Sequence, residues 1–233
     1  MNEMNQNPIV QDPGEVLLID KPLTWTSFDV VKKLKFAGKF KKIGHAGTLD
    51  PLATGLLILC TGKMTKQIDS YQAQEKEYSG TFVLGKTTPS IDLETEFDAE
   101  FPTEHINDDV LNQALLQLTG KILQIPPIYS AVSVGGKRLY ELARQGKTDN
   151  DVEIKSREVE IKSFTIDTSA FPEIKFNIVC TKGTYIRSLV RDFGIACQSG
   201  AYLNSLRRER IGEFSVQNAL TVEEFVSQRK VLA

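Results

Sequence analysis

Apolar residues along this chain fall into short groups of two different periods. In GEVLLIDKP (Gly14 to Pro22), an apolar run stopped by proline predicts a strand. In the TSFDVVKKLKFAG that follows, Phe28, Val31 and Leu34 recur at helical spacing, with Thr26 or Ser27 placed to cap and Gly38 to stop. LLILC (Leu56 to Cys60) and YSGTFVL (Tyr78 to Leu84) read as strands. Residues 86–106 are acidic, carry two prolines and read as an exposed excursion. NDDVLNQALLQLTG is an amphipathic helix, with Asn107 or Asp108 as cap and Gly120 as stop.

The pattern changes from Ile125 to Lys147, where prolines, a Gly135-Gly136 pair, two tyrosines and four basic residues mix. It predicts a loop, a short hairpin around the glycines and a helical turn from Leu139 to Arg144. Strands follow at Val159 to Ile166 and at Ile174 to Cys180, where Ile174, Phe176, Ile178 and Cys180 alternate with polar residues. In TYIRSLVRDFGIACQ, Ile186, Leu189, Val190 and Phe193 share a helical stripe. A last helix begins at Thr221, which forms a capping box with Glu224. Strands and helices do not alternate regularly, so an α+β fold with a mixed, mostly antiparallel sheet flanked by helices is expected.

Composition adds bounds. The 233 residues suit one large domain or two small ones, and no apolar run approaches the roughly 18 residues of a membrane span. Residues 1–13 lack the blocks of a secretory signal and read as a polar tail, which points to the cytoplasm. Cys60, Cys180 and Cys197 are odd in number, none in a C-x-x-C pair, and read as buried free thiols. The net charge of −2 argues against a polyanion partner until its distribution is seen. Residues 1–66 carry nine lysines against six acids, and residues 67–110 two lysines against eleven acids. Six lysines lie between Lys32 and Lys42. A basic end of this kind is either a solvated face or a polyanion-binding patch.

The candidate chemistry lies in KKIGHAGTLDPLATGLLILC (Lys41 to Cys60). Gly44 and Gly47 bracket His45, and Pro51 biases Asp50 toward extended backbone. The stretch presents a lone carboxylate on a stiff loop against a strand. Asp50 is either a functional acid or a turn cap, and a lone His45 is more often structural than catalytic. His45 and His105 are the only histidines and no cysteine lies near either, so zinc is not indicated. The phosphate-binding-loop pattern is absent as well.

KIGHAGTLDPLATGLL closely resembles the signature of the TruB family of tRNA pseudouridine synthases. LLIDKPLTWTSFDVV resembles that family's opening, KEY (Lys76 to Tyr78) its second motif and KGTYIRSLVRDFG (Lys182 to Gly194) its third. PPIYSAVSVGGKRLYELARQG resembles its RNA-gripping insertion, and LRR (Leu206 to Arg208) its closing motif. The six blocks stand in the family's order over residues 14–212.

The resemblance implies a pseudouridine synthase fold and isomerisation of uridine 55 in the tRNA T-loop, without cofactor or metal. It implies Asp50 as nucleophile, adding to base or sugar; Tyr78 as a ring packing on the flipped uracil and a candidate base; and Arg187 paired with Asp50 to stabilise its charge. A phenol titrates near 10, so Tyr78 needs a local partner or a very acidic intermediate to act as base. His45, Tyr185 and Leu206 match substrate-contacting positions, and Asp92 loosely matches an acid near the site. Lys39, Lys41 and Lys42, with Arg138, Arg144, Arg207, Arg208 and Arg210, are candidates for gripping phosphates of the T-arm stem-loop. The acidic segment 92–109 is expected to face away from the RNA or to screen against wrong approach. The implied layout is a tail (1–13) and a catalytic domain (14–233) with an RNA-binding insertion at about 125–150. The PUA domain that many members carry is expected to be absent, and the implied form is a monomer with no obligatory protein partner. Two rivals stay open: a tRNA-binding folding factor, and a synthase for another RNA.

Overall fold

The computed structural model describes residues 13–148 and 151–231, so the expected tail lies outside the described residues except for Pro13. The chain begins with β1 (Val16–Lys21), α1 (Ser27–Ala37), β2 (Ile43–His45), β3 (Ala53–Thr61), α2 (Ile68–Ala73) and β4 (Lys76–Leu84). Then come β5 (Lys86–Thr87), β6 (Ala99–Glu100), α3 (Asp108–Gln117), β7 (Gly120–Gln124), β8 (Ser133–Val134), β9 (Lys137–Arg138) and α4 (Leu139–Arg144). The last part holds β10 (Arg157–Ala170), β11 (Glu173–Cys180), α5 (Ile186–Ala196), β12 (Ala201–Ile211), β13 (Phe214–Ser215), β14 (Leu220–Thr221) and α6 (Val222–Val231).

One large sheet runs in the order β14-β1-β3-β12-β4-β11-β10-β7, with β2 on β3 and β13 on β12. β14 on β1 and β12 on β3 are parallel and the other pairs antiparallel, as the irregular alternation of elements predicts. β3 is buried on both faces, which is why LLILC is a continuous apolar run. Leu57 and Leu59 pack with α1 and α6, whereas Leu56, Ile58 and Cys60 pack toward Ile211 and Val216. A larger core joins β4, β10 and β11 to α5, with Phe193 edge-on to Phe82 at 5.1 Å and 5.6 Å from Phe164. All three cysteines are free and buried.

Several sequence expectations hold at the residue level. Thr26 caps α1 in a capping box with Asp29, Asn107 caps α3, and Thr221 and Glu224 bond reciprocally ahead of α6. The hairpin closes over Gly135 and Gly136, and α4 covers Leu139 to Arg144. Four expectations fail. Phe28 is 69% exposed; the buried stripe of α1 is Ser27, Val30, Val31 and Leu34. Gly120 starts β7 instead of stopping α3, and residues 43–45 pair with β3 as a strand. The acidic excursion is not wholly exposed, because Thr88, Ser90, Ile91 and Asp92 are buried.

The sequence reading also leaves β12 unassigned, a central strand hidden by its run of charge. Its neighbours approach so closely that a Cβ at Gly55 would meet the Arg208 carbonyl at 2.3 Å, and one at Gly80 the Ser205 carbonyl at 2.1 Å. Gly55 also holds φ +103°, open to glycine alone. Phe193→Ala, which empties the meeting point of three rings, is expected to lower unfolding free energy by about 3–5 kcal/mol, read from urea denaturation.

Candidate active site

The loop before β3 is held from several sides. Asp50 and Pro51 open a tight turn closed by the Ala53 N–H donating to the Asp50 carbonyl at 3.1 Å. Ser27, buried at the start of α1, accepts from the Leu49 N–H at 2.9 Å and donates to the Leu49 carbonyl at 3.2 Å. Lys21, fully buried, donates from Nζ to the carbonyls of Trp25 (2.5 Å), Pro22 (3.0 Å) and Pro51 (3.3 Å). Burial pulls its amine down to about 8, with the Asp50 charge opposing. The sequence does not mark Lys21 as special, although Leu17, Ile19 and Lys21 share one period-two face of β1.

Asp50 and Arg187 meet, as expected. Nη2 of Arg187 lies 2.9 Å from Oδ2 of Asp50; the arginine side chain is 4% exposed and the aspartate 41%. Arg187 also donates to the Tyr129 carbonyl at 2.7 Å and the Ser90 carbonyl at 3.0 Å. Its Nε makes no hydrogen bond and faces Asp92 Oδ2 at 3.6 Å. Asp92 thus sits at the site with its side chain buried, where its loose match to an acid near the site put it. The remaining Asp92 oxygen, Oδ1, accepts from the Glu94 N–H at 3.0 Å.

This pair borders a cleft of about 760 Å³, within the usual range for ligand sites. Tyr78, Tyr185, Leu206 and residues 47–50 line it. Tyr78 is 8% exposed, and burial pushes its phenol above the ordinary value; Arg208 acts against this and the Asp50 charge with it. His45 stands behind Thr48, with Nε2 3.2 Å from Thr48 Oγ1, and burial lowers its pKa. Gln124, buried and unmarked by sequence, fixes Tyr185: its Oε1 accepts from the Tyr185 N–H at 2.7 Å and its Nε2 donates to the Tyr185 carbonyl at 3.1 Å.

The basic candidates divide. Lys39, Lys41 and Lys42 are exposed between α1 and β2 and do not line the cleft. Arg138 and Arg144 are exposed at the two ends of α4, Arg144 over the Tyr140 ring at 5.5 Å. Arg207 is tied to Asp20 by bonds of 3.0 and 2.7 Å, and Arg210 to Glu75 and Glu77 at 2.9 and 3.1 Å. Arg208 corrects the sequence expectation outright. It is 1% exposed and directs its guanidinium at the carbonyls of Leu56 (2.7 Å) and Gly47 (3.1 Å), so it braces the loop instead of meeting a phosphate. No group of three or more histidine, cysteine, aspartate or glutamate side chains among the described residues is placed to hold a metal ion.

Known proteins share this architecture. A chain in a crystal structure of a Cbf5-Nop10-Gar1 complex superposes with TM-score 0.68 at 26% identity, covering 91% of this chain and 53% of that one. A chain of an H/ACA RNP bound to a substrate RNA containing 2'-deoxyuridine superposes at 0.67 with 24% identity, a likeness of fold alone. This chain spans about half the length of those structural neighbours. The architecture is of the pseudouridine synthase class. The pattern of the TruB family pseudouridylate synthase (N terminal domain) matches residues 33–186. The chain is 55% identical over 219 residues to tRNA pseudouridine synthase B of Flavobacterium johnsoniae, covering 91% of this chain and 94% of that protein. It is 51% identical over 218 residues to the protein of the same name from Phocaeicola vulgatus, covering 91% and 92%. This chain belongs to the TruB family of pseudouridylate synthases.

The buried lysines give a stability signature. Lys21 and Lys76 both titrate at about 8 when folded and near 10.5 in an unfolded chain. The folded protein therefore binds fewer protons than the unfolded one between those values, and stability rises with pH there. Cys180 and Cys197, pushed up to about 11 by burial from 9.0, act oppositely above pH 9. The urea midpoint is expected to rise from pH 8 to 9 in the wild type and to rise less in Lys21→Met.

Proposed function

We propose that this chain isomerises uridine 55 in the T-loop of tRNA to pseudouridine, with Asp50 as the nucleophile and the target nucleotide turned out of its loop. The relatives named tRNA pseudouridine synthase B support tRNA as substrate. The single observation that carries the reading is the Asp50–Arg187 pair at 2.9 Å, its aspartate open to the cleft and its arginine buried.

Extruding a nucleotide costs a few kcal/mol of unstacking, offset by packing in the cleft and contacts to the base edge. Tyr78 and Leu206 supply apolar surface for the uracil. Arg187 engages Oδ2 of Asp50, which fixes the rotamer and stabilises the negative charge, and Oδ1 attacks C6 of the base or C1′ of the sugar, forming a covalent bond that is broken again before product leaves. The bond from C1′ to N1 breaks, the base turns, and a bond forms from C1′ to C5. On the sugar route the carboxylate is displaced from C1′ as C1′–C5 forms, on the base route it is eliminated from C6, and in either case the C5 proton leaves. Every atom of the uridine is retained except that proton, which N1 replaces with one from solvent, and no electron is gained or lost. The reaction therefore needs no redox cofactor.

The Tyr78 phenol, pushed up by burial, is protonated at neutral pH. It meets the base as a neutral ring and takes the C5 proton only from the acidic intermediate in which C5 carries both hydrogen and C1′. Recognition of T-loop shape and splayed bases suits an enzyme whose reading surface is a cleft. The reading includes a monomer acting without an obligatory partner and a catalytic domain over 14–233 with residues 125–150 as the RNA-binding insertion.

Release of tritium from tRNA labelled at uridine C5 tests the function. Wild type is expected to release it and Asp50→Asn to release none while binding tRNA almost as tightly; release by Asp50→Asn would remove the nucleophile assignment. Wild-type inactivity together with tight binding would leave a tRNA-binding factor, and release from a different uridine would redirect the substrate. Tyr78→Phe keeps the ring, so it is expected to slow product formation far more than it weakens binding. Neutralising Lys39, Lys41 and Lys42 together is expected to flatten the salt dependence of binding by about 0.7–0.9 for each phosphate no longer neutralised; an unchanged slope would place these lysines outside the RNA footprint.

A further inference from the structure

The cleft carries more positive charge than the reaction at Asp50 uses. Five cationic side chains line it against two carboxylates, Asp50 and Asp69. Arg187 is engaged with Asp50, and Arg208 with backbone carbonyls. Lys76, Arg157 and Lys182 remain, and none of the three has an ion-pair partner among the described residues.

These three are held near one another by the fold. Arg157 is the first residue of β10, in register with Gln124, the residue whose side chain clamps the Tyr185 main chain. Its guanidinium lies over the Tyr185 ring at 5.3 Å. A Cβ at Gly183 would stand 3.9 Å from Arg157 Nη1, so the guanidinium abuts the turn that carries Lys182. That turn is closed by Thr184 Oγ1 donating to the Thr181 carbonyl at 2.9 Å. Lys76 is buried at the start of β4, with Nζ donating to the carbonyls of Gln72 and Gln74 at 2.5 Å each, and Lys182 is among the charges that act on it. Two of its three N–H donors are used and one is left. Like charges kept together at an open cleft without an ion-pair partner repel one another, and an anion relieves that repulsion.

We propose that Arg157, Lys182 and Lys76 form a phosphate subsite inside the cleft that takes the sugar–phosphate backbone beside the extruded nucleotide. The proposal rests on the function inferred above and deepens it. It separates two kinds of basic surface: the lysines at 39–42 lie outside the cleft, whereas this cluster borders the same space as Asp50. Tyr185 lies between the two tasks, presenting a ring to the substrate and holding Arg157 in place by a cation–π contact. A backbone phosphate bound here sets how far the nucleotide enters without reading its base.

The double variant Arg157→Gln/Lys182→Gln tests this, with Arg157→Lys as the charge-retaining control and thermal melting as the check on folding. Binding of a T-arm stem-loop is followed by fluorescence anisotropy against salt, and turnover by tritium release from full tRNA. The double variant is expected to lower the salt slope by about 1.4, two single-strand contacts at about 0.7 each. It is also expected to raise KM roughly tenfold while kcat changes far less, which is the pattern for a loss of uniform binding. Arg157→Lys, which keeps the charge, is expected to retain the wild-type slope. An unchanged slope with active enzyme overturns the subsite and leaves the function standing. A fall in kcat with slope and KM unchanged also overturns it, because Arg157 would then only position Tyr185. Inactivity of the wild type removes the function and the subsite together.

Discussion

The site depends on one buried guanidinium. Arg187 is nearly inaccessible to water, and a buried charge without partners costs several kcal/mol. Its demand is met by the carbonyls of Ser90 and Tyr129 and by the carboxylates of Asp50 and Asp92. These partners come from the loop before β3, the excursion after β5 and the start of the segment leading to α4. Three stretches that are remote in sequence are thereby fixed to a single turn of α5. Such a pair is weak evidence for stability, since a well-packed apolar substitute often does as well. What it fixes here is position: the partner with 41% exposure is the one that faces the cleft.

The loop carrying Asp50 is built on the same principle. Lys21 from β1, Ser27 from α1 and Arg208 from β12 each reach in from a different element, and each bonds to backbone groups of residues 47–51. Their own burial is tolerable because carbonyl and N–H partners satisfy them. β3, packed on both faces, gives the loop an immobile exit. These contacts hold a short polar loop against a buried strand, and the carboxylate it carries borders the cleft.

What is legible in the sequence follows from which signals are local. Period-two and helical stripes, caps and the Gly-Gly hairpin involve neighbours within a few residues, and these predict β11, α5, α4 and the start of α6 correctly. β12 escapes, because the charges of LRRER interrupt any period-two apolar stripe. Only the tertiary fold, which inserts the strand between β3 and β4, buries Arg208 and satisfies it with carbonyls 152 and 161 residues away. Asp92 similarly reads as part of an exposed acidic run, and its partner arrives from α5. Phe28 fits a helical stripe yet faces out, since a three-residue match does not fix which side of the helix meets the sheet. Arg157 and Gln124 carry no local mark at all; their roles arise from the β7–β10 register.

The protonation pattern of the cleft divides its work. Burial moves Tyr78 upward from 10 and His45 downward from 6.5, so both rings are neutral near pH 7. Under the proposed function a neutral uracil meets neutral rings and aliphatic Leu206, and the charge that would attack is that of Asp50 beside Arg187. On the proposed subsite, the phosphate of a nucleotide is repelled by the Asp50 carboxylate and attracted to the positive charge carried by Arg157 and Lys182. Orientation follows from the separation of these fields: a nucleotide entering with its phosphate toward Asp50 meets repulsion, and one entering base-first with its backbone toward the cations does not. On that proposal, the electrostatic arrangement that orients the reactant also keeps Asp50 clear of the phosphate.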